Sequence, residues 1–184
     1  MDKELIFVST NAHKAEEIIS LGRKHGIKIN PVLGEKLEIQ AIDTRDVART
    51  AAIMLFNSIR KPMFVDDSGL FIDALDGFPG AIAHFVSKSS VLNMLSGVKN
   101  RDAHFKTSIC YVDEDVAKIF EGTVSGRIAS EPQGDRAFGF DSLFIPIGEE
   151  KTFAQMSIEE KSKYSHRARA FEKLAKYVLD GKVL

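Results

Sequence analysis

Met63-Phe64-Val65-Asp66-Asp67-Ser68-Gly69-Leu70 is the stretch whose reading decides the fold. Met63 to Val65 reads as a short apolar strand that delivers two adjacent carboxylates, and a second apolar stretch, Phe71-Ile72-Asp73-Ala74-Leu75, follows. Two neighbouring carboxylates at a strand end are costly unless a cation stands between or beside them. A hard divalent ion such as Mg²⁺ suits the task, because it takes oxygen ligands and often one or two carboxylates. The same Asp-Asp-Ser-Gly residues also suit a solvated turn. Taken alone, the stretch supports both readings.

Working outward, strands and helices alternate on the N-terminal side. Leu5 to Ser9 reads as a buried strand, and a helix is predicted from Asn11 to about Lys24, with Ala15, Ile18, Ile19 and Gly22 on one face and Gly26 at its end. Residues 27–32 suit a second strand. Thr44 is placed to cap a helix burying Val47, Ala48, Ala51, Ala52, Leu55 and Ile59, with Pro62 beyond its end. On the C-terminal side, Gly77-Phe78-Pro79-Gly80 reads as a loop and residues 91–95 as part of a short helix. Residues 104–112 and 116–128 form two β-like runs around Asp113-Glu114-Asp115, which predicts a hairpin. Another strand is expected within 140–146. Ser157-Ile158-Glu159-Glu160 fits a capping box, and a last helix is predicted over 166–179, burying Ala170, Phe171, Leu174, Ala175 and Val178. The mixture predicts an α/β fold with a mixed sheet. No repeat or composition break marks a linker, so one domain, 1–184, is expected.

The 184 residues suffice for a real core, and 44% hydrophobic with 28% charged residues is ordinary for a globular chain. A formal net charge of −1 argues against a broad surface for polymeric nucleic acid, though not against a small cationic pocket. The single cysteine, Cys110, cannot close an internal disulfide and reads as buried and inert. No signal peptide and no run of membrane-spanning length is visible, so a cytoplasmic setting is expected.

Four further clusters carry chemistry. Ser9-Thr10-Asn11-Ala12-His13-Lys14 ends a strand in hydroxyls and opens a helix with a lysine in its first turn. Free N–H groups at such a helix start favour an anion, although an ordinary capped helix looks the same. Glu38-Ile39-Gln40 lies in a short alternation, where Glu38 is either a solvated edge residue or a partner of the Asp66-Asp67 site. Phe138-Gly139-Phe140-Asp141 combines rings, a glycine and a carboxylate, which can stack on a base and accept a hydrogen bond from it, or simply turn the chain. Lys161 and Ser165-His166-Arg167 sit at the last helix start, where cations oppose the helix dipole unless something anionic or oxygen-rich is near.

In this order the motifs resemble the inosine triphosphate pyrophosphatase, or Ham1-like, family across nearly the whole chain. The resemblance rests on Ser-Thr-Asn-x-x-Lys at 9–14, Glu-Ile-Gln at 38–40, Asp-Asp-Ser-Gly-Leu at 66–70, Phe-Pro-Gly at 78–80, Phe-Gly-Phe-Asp at 138–141 and Ser-His-Arg at 165–167. It implies an elongated mixed sheet with flanking helices, two lobes around a central nucleotide cleft, and a homodimer. It implies hydrolysis of ITP, dITP and XTP to the monophosphate and pyrophosphate, clearing deaminated purines from the nucleotide pool. Carried over by position, Asp67 is the implied general base, and Glu38 with Asp67 the implied Mg²⁺ ligands. By the same resemblance Asp66 and Asp73 are implied supporting acids. It implies that Ser9, Thr10, Asn11, Ala12, His13 and Lys14 hold the triphosphate with Ser68 close by, and that Phe138, Gly139, Phe140, Asp141, Lys161, His166 and Arg167 recognise the nucleoside. The chain departs from the family's frequent Gly-Phe-Gly-Tyr-Asp-Pro at Ala137, Phe140 and Ser142. Two rival readings stay open: a diphosphatase for other nucleotides, like the related Maf-like proteins, and a nucleotide-binding module that has lost catalysis.

Overall fold

The computed structural model describes residues 3–34, 39–135 and 138–181. A seven-stranded mixed sheet organises them. Its main path runs β2 (Ile27–Leu33), β1 (Lys3–Ser9), β3 (Met63–Ile72), β5 (Asp102–Val112), β6 (Ala117–Ile128) and β7 (Phe144–Pro146), and the two-residue β4 (Pro79–Gly80) joins β3 from the side. β1 runs parallel to β2 and β3, whereas β5, β6 and β7 continue antiparallel.

The predicted elements form, with shifts at their ends. Helix α1 (Ala12–Lys24) is capped by Asn11, and Gly26 follows its end at positive φ. Helix α2 (Thr44–Ile59) is capped by Asp43 rather than Thr44, because Thr44 is buried and bonds Ser108 across the fold. Helix α3 spans Lys88–Met94, the box at Ser157 caps α4 (Ile158–Ser162), and α5 covers His166–Leu179. The expected strand within 140–146 shortens to β7, since Phe140 to Leu143 form turns. The largest correction concerns the opening stretch. Asp66 to Gly69 are neither a turn nor a strand end; they lie inside the ten-residue β3, laddered to β5 along its length.

Three apolar clusters hold the sheet. On one face α1 and α5 bury Ile18, Leu21, Phe171 and Leu174 against Phe7, Phe64, Ile109 and Tyr111. On the other, α2 lays Ala48, Ala51, Ala52 and Phe56 on Val8, Met63, Val65 and Cys110. The far ends of β3, β5 and β6 enter a third cluster with Phe140, Leu143, Phe144, Phe153 and Met156. Long strands therefore run through two lobes. At about 25 cal/mol per Å² of buried apolar surface, each fully buried Phe or Leu side chain contributes about 1.5–3 kcal/mol.

Between the lobes the sheet forks. β1 pairs with β3 at Ile6↔Met63 and Phe7↔Phe64, and β4 pairs with the same edge only from Leu70↔Gly80. Among the described pairings, the edge of β3 from Val65 to Gly69 carries no strand. A fork that leaves strand edge and helix start facing open space is a natural ligand site in an α/β sheet.

Candidate active site

A cavity of about 550 Å³ opens at the fork. Its walls come from the end of β1 and start of α1 (Ser9, Thr10, Asn11, Lys14), from β3 (Asp67, Ser68), from the loop at 138–141, and from Lys161, His166 and Arg167. Thus segments distant in the chain line one space. It is also lined by Ala83, His84 and Phe105, which sequence reasoning did not select.

Alternation along β3 separates the two carboxylates. Phe64, Asp66 and Ser68 share the face covered by α1 and α5, whereas Val65 and Asp67 lie on the α2 face, where Asp67 stands opposite Ser108 across the ladder. Because consecutive residues Asp67 and Ser68 both line the cavity, it wraps around the open strand edge. The cations that the adjacent carboxylates require are partly the protein's own. Arg167 Nε donates to Asp66 at 3.1 Å, and Lys14 Nζ lies 3.4 Å from its other oxygen. Asp66 is 1% exposed and does not line the cavity; its carboxylate is engaged with Arg167 and Lys14.

The network extends further. Arg167 also donates to Glu17 and, at 3.2 Å, to Ser68 Oγ; Lys161 donates to Glu17 at 2.6 Å and to Asp141 at 2.5 Å. The oxygen-rich partners sought for the basic start of α5 are therefore Asp66 and Glu17. Glu17 was missed; it lies three residues after Lys14 on α1, a spacing that puts both on one helix face. Burial pushes the Glu17 carboxyl up, but Arg167 and Lys161 outweigh it and hold it below the ordinary glutamate range. Burial likewise opposes charge on Lys161, yet Asp141 and Glu17 raise it above the usual lysine value. Asp141 is held above the ordinary aspartate range by burial, with Lys161 pulling it down and the Glu17 charge pushing it back.

His166 is placed by packing. Gly122 on β6 admits the first turn of α5, since a Cβ there would collide with the His166 carbonyl and Ala170. The imidazole then stacks on Phe105 with centroids 4.6 Å apart and planes 12° apart. Burial, then the Arg167 and Lys161 charges, drive its pKa well below the ordinary histidine value, so the ring is neutral. Its Nδ1 is buried without a hydrogen-bond partner among the described residues.

Several expectations need correction. The start of α1 is an ordinary capped helix as well as a cavity wall: Asn11 Oδ1 accepts from the His13 and Lys14 N–H groups at 3.0 and 3.2 Å, so those two donors are occupied. Ala12 and His13 do not line the cavity, because the His13 ring points to Phe138 and borders a neighbouring cavity. Asp73 borders a different cavity with Asp102 and His104, beyond the third core cluster. Phe140 lines the cavity but is also core, 5% exposed against Leu143 and Phe144. Ser142, where the family frequently has proline, accepts from Lys88 at 3.2 Å. Glu38 and Ala137 lie outside the described residues. Cys110 is fully buried and burial pushes its thiol up to about 12, in keeping with an inert core residue.

The sequence profile of the Ham1 family matches residues 5–177. The chain belongs to the Ham1 family. It is 43% identical over 175 residues to a dITP/XTP pyrophosphatase of Saccharolobus solfataricus, covering 93% of this chain and 91% of the relative. A dITP/XTP pyrophosphatase of Thermococcus kodakarensis is also 43% identical, over 95% of this chain and 96% of its own length. Among solved Ham1 structures, the Staphylococcus aureus protein superposes with a TM-score of 0.82 at 28% identity, covering 98% of this chain and 100% of that one. The Coxiella burnetii Ham1 protein gives 0.83 at 28% identity, over 97% and 99%. The forked, curled sheet with flanking helices is thus the Ham1 fold.

Proposed function

We propose that this chain hydrolyses noncanonical purine nucleoside triphosphates, dITP, XTP and ITP, to the monophosphate and pyrophosphate. The observation that carries the reading is one cavity lined together by Lys14 and Thr10, by Asp67, and by the Phe138–Asp141 loop with His166. That set suits a triphosphate, its α-phosphorus and a purine. Its Ham1 membership and dITP/XTP pyrophosphatase relatives support the same activity.

Lys14, Ser9 and Thr10 receive the outer phosphates, helped by the positive end of α1. Asp67 orients the attacking water and accepts its proton as the water oxygen bonds to the α-phosphorus and the bond to pyrophosphate breaks. Asp67 and Glu38 would hold Mg²⁺. The carboxylate chemistry suits that ion: Asp67 lines the cavity, whereas Asp66 is paired with Arg167 and Lys14. Mg²⁺ is commonly held by one or two carboxylates plus substrate phosphates. When bound it neutralises phosphate charge and steadies the leaving group.

At the base end, Phe138 offers a stacking face and Lys161, Arg167 and neutral His166 offer donors to a six-keto oxygen. Adenine presents an amino group there and leaves a buried donor unpaired, which strongly disfavours it. Arg167 already spends three N–H groups on Asp66, Glu17 and Ser68, so it contributes with what its five donors leave over. We further propose that the chain works as one domain, as a cytoplasmic homodimer; no helix among the described residues is long and apolar enough to cross a membrane.

A panel of dITP, XTP, ITP, ATP, dTTP and UTP with Mg²⁺ tests the reading, with pyrophosphate and phosphate assayed separately. Pyrophosphate release from the first three is expected. Preference for dTTP or UTP supports the Maf-like alternative, and binding without turnover supports the catalytically silent module.

A further inference from the structure

We propose that His13 is a positioning residue that braces the Phe138 ring from behind, tying the loop at the base end of the cleft to the helix at its phosphate end. The proposal rests on the reading of Phe138 as a stacking platform. Phe138 has open space on two sides: it lines both the 550 Å³ cavity and a neighbouring one of about 440 Å³. His13 borders only the second. Its ring meets Phe138 with centroids 5.5 Å apart and planes tilted by 38°. Seen from the substrate cavity, His13 therefore stands behind the platform.

The two rings are anchored differently. His13 is the second residue of α1, and its N–H is tied to the Asn11 cap at 3.0 Å. Glu16, one turn on, lies 3.9 Å from His13 Nδ1. Phe138 instead precedes Gly139, which adopts positive φ and would meet nothing with an added Cβ. A half-buried ring on such a loop has the second cavity to swing into. The brace stands across that route, with the His13 side chain 69% exposed. Removing it frees the ring, and a base must then order its own platform on binding.

The chain contains no tryptophan, so Phe138→Trp introduces a single indole reporter at the platform. Protonated imidazole in contact with indole quenches its emission, so emission is compared at about pH 5, where an imidazole is normally protonated. In that background His13→Ala is expected to raise emission of the ligand-free protein; unchanged emission overturns the brace without reference to turnover. In the otherwise unaltered protein, His13→Ala is expected to raise KM for dITP by about three- to tenfold, the range of an aromatic pair, with kcat within about twofold. His13→Phe should restore KM and His13→Lys should not. Rescue by Lys and not Phe overturns the proposal in favour of a phosphate contact, as does an unchanged KM in His13→Ala. Phe138→Ala alone tests the platform: an unchanged KM there removes the platform and the kinetic consequence, while the emission result still decides the contact.

Discussion

Asp66 and Asp67 share one peptide bond, yet strand alternation sends their carboxylates to different faces of β3. Asp66 enters a buried network with Arg167 and Lys14, which continues through Glu17 and Lys161 to Asp141. Asp67 reaches the cavity at the open strand edge. The difference teaches that one short motif supplies two devices: a carboxylate that pairs with buried cations, and one that borders the cavity, where we propose it meets the ligand. The first ties together residues on β3, α1, α4 and α5; the second, 4% exposed, borders the cavity.

The comparison breaks most sharply at Asp67. Asp67→Asn is expected to lower kcat by about 10²–10⁴, the usual cost of losing a general base, with little change in thermal unfolding. Near-normal turnover in a folded variant removes the assignment, and a large loss of stability would make the two carboxylates alike.

Asp66→Ala should do the reverse. It leaves the Arg167 guanidinium, 1% exposed, with one fewer anion. Removing one partner of a buried pair costs about 3–5 kcal/mol, which a urea titration measures directly. A stability equal to that of Asp67→Asn would show that the network is not structural.

Lys14 belongs to both devices, since it pairs with Asp66 and lines the cavity. Lys14→Ala is expected to weaken binding of ITP by about 1.5–3 kcal/mol, and of IMP by much less, because only the triphosphate carries outer phosphates. Equal losses by calorimetry would confine Lys14 to the Asp66 side.

The smallest effect is in pH. His166 is held neutral well below the ordinary histidine value by burial and by Arg167 and Lys161. Below about pH 6.5 the unfolded chain binds a proton that the folded chain refuses, so stability falls. Glu17, held below the ordinary glutamate range, adds a loss of the same sign as pH drops through the carboxylate range. Asp141, raised by burial, works oppositely, contributing at low pH and losing its contribution as pH rises through its folded value. Denaturation midpoints from pH 8 to pH 4 should therefore decline in two stages, and His166→Gln should flatten the first.

The sequence by itself determined the elements and the residues worth watching. Helix periodicity, the Ser157 box and the hairpin at 113–115 are local features, written within a few residues, and they appear where they were read. The candidate residues mostly converge as well, because motifs in a fixed order mark the family. What depended on tertiary structure were directions and partners. Asp66 and Arg167 meet across 101 positions, and Glu17 and Lys161 across 144, so no local pattern announces either pair. The face that each carboxylate of β3 takes follows from its ladder with β5, and the site exists because β1 leaves β3 before β4 joins it. For the same reason His13, a triphosphate contact by what the family resemblance implies, turns to a ring more than a hundred residues away: side-chain direction is decided by what packs nearby, and sequence distance carries no information about that.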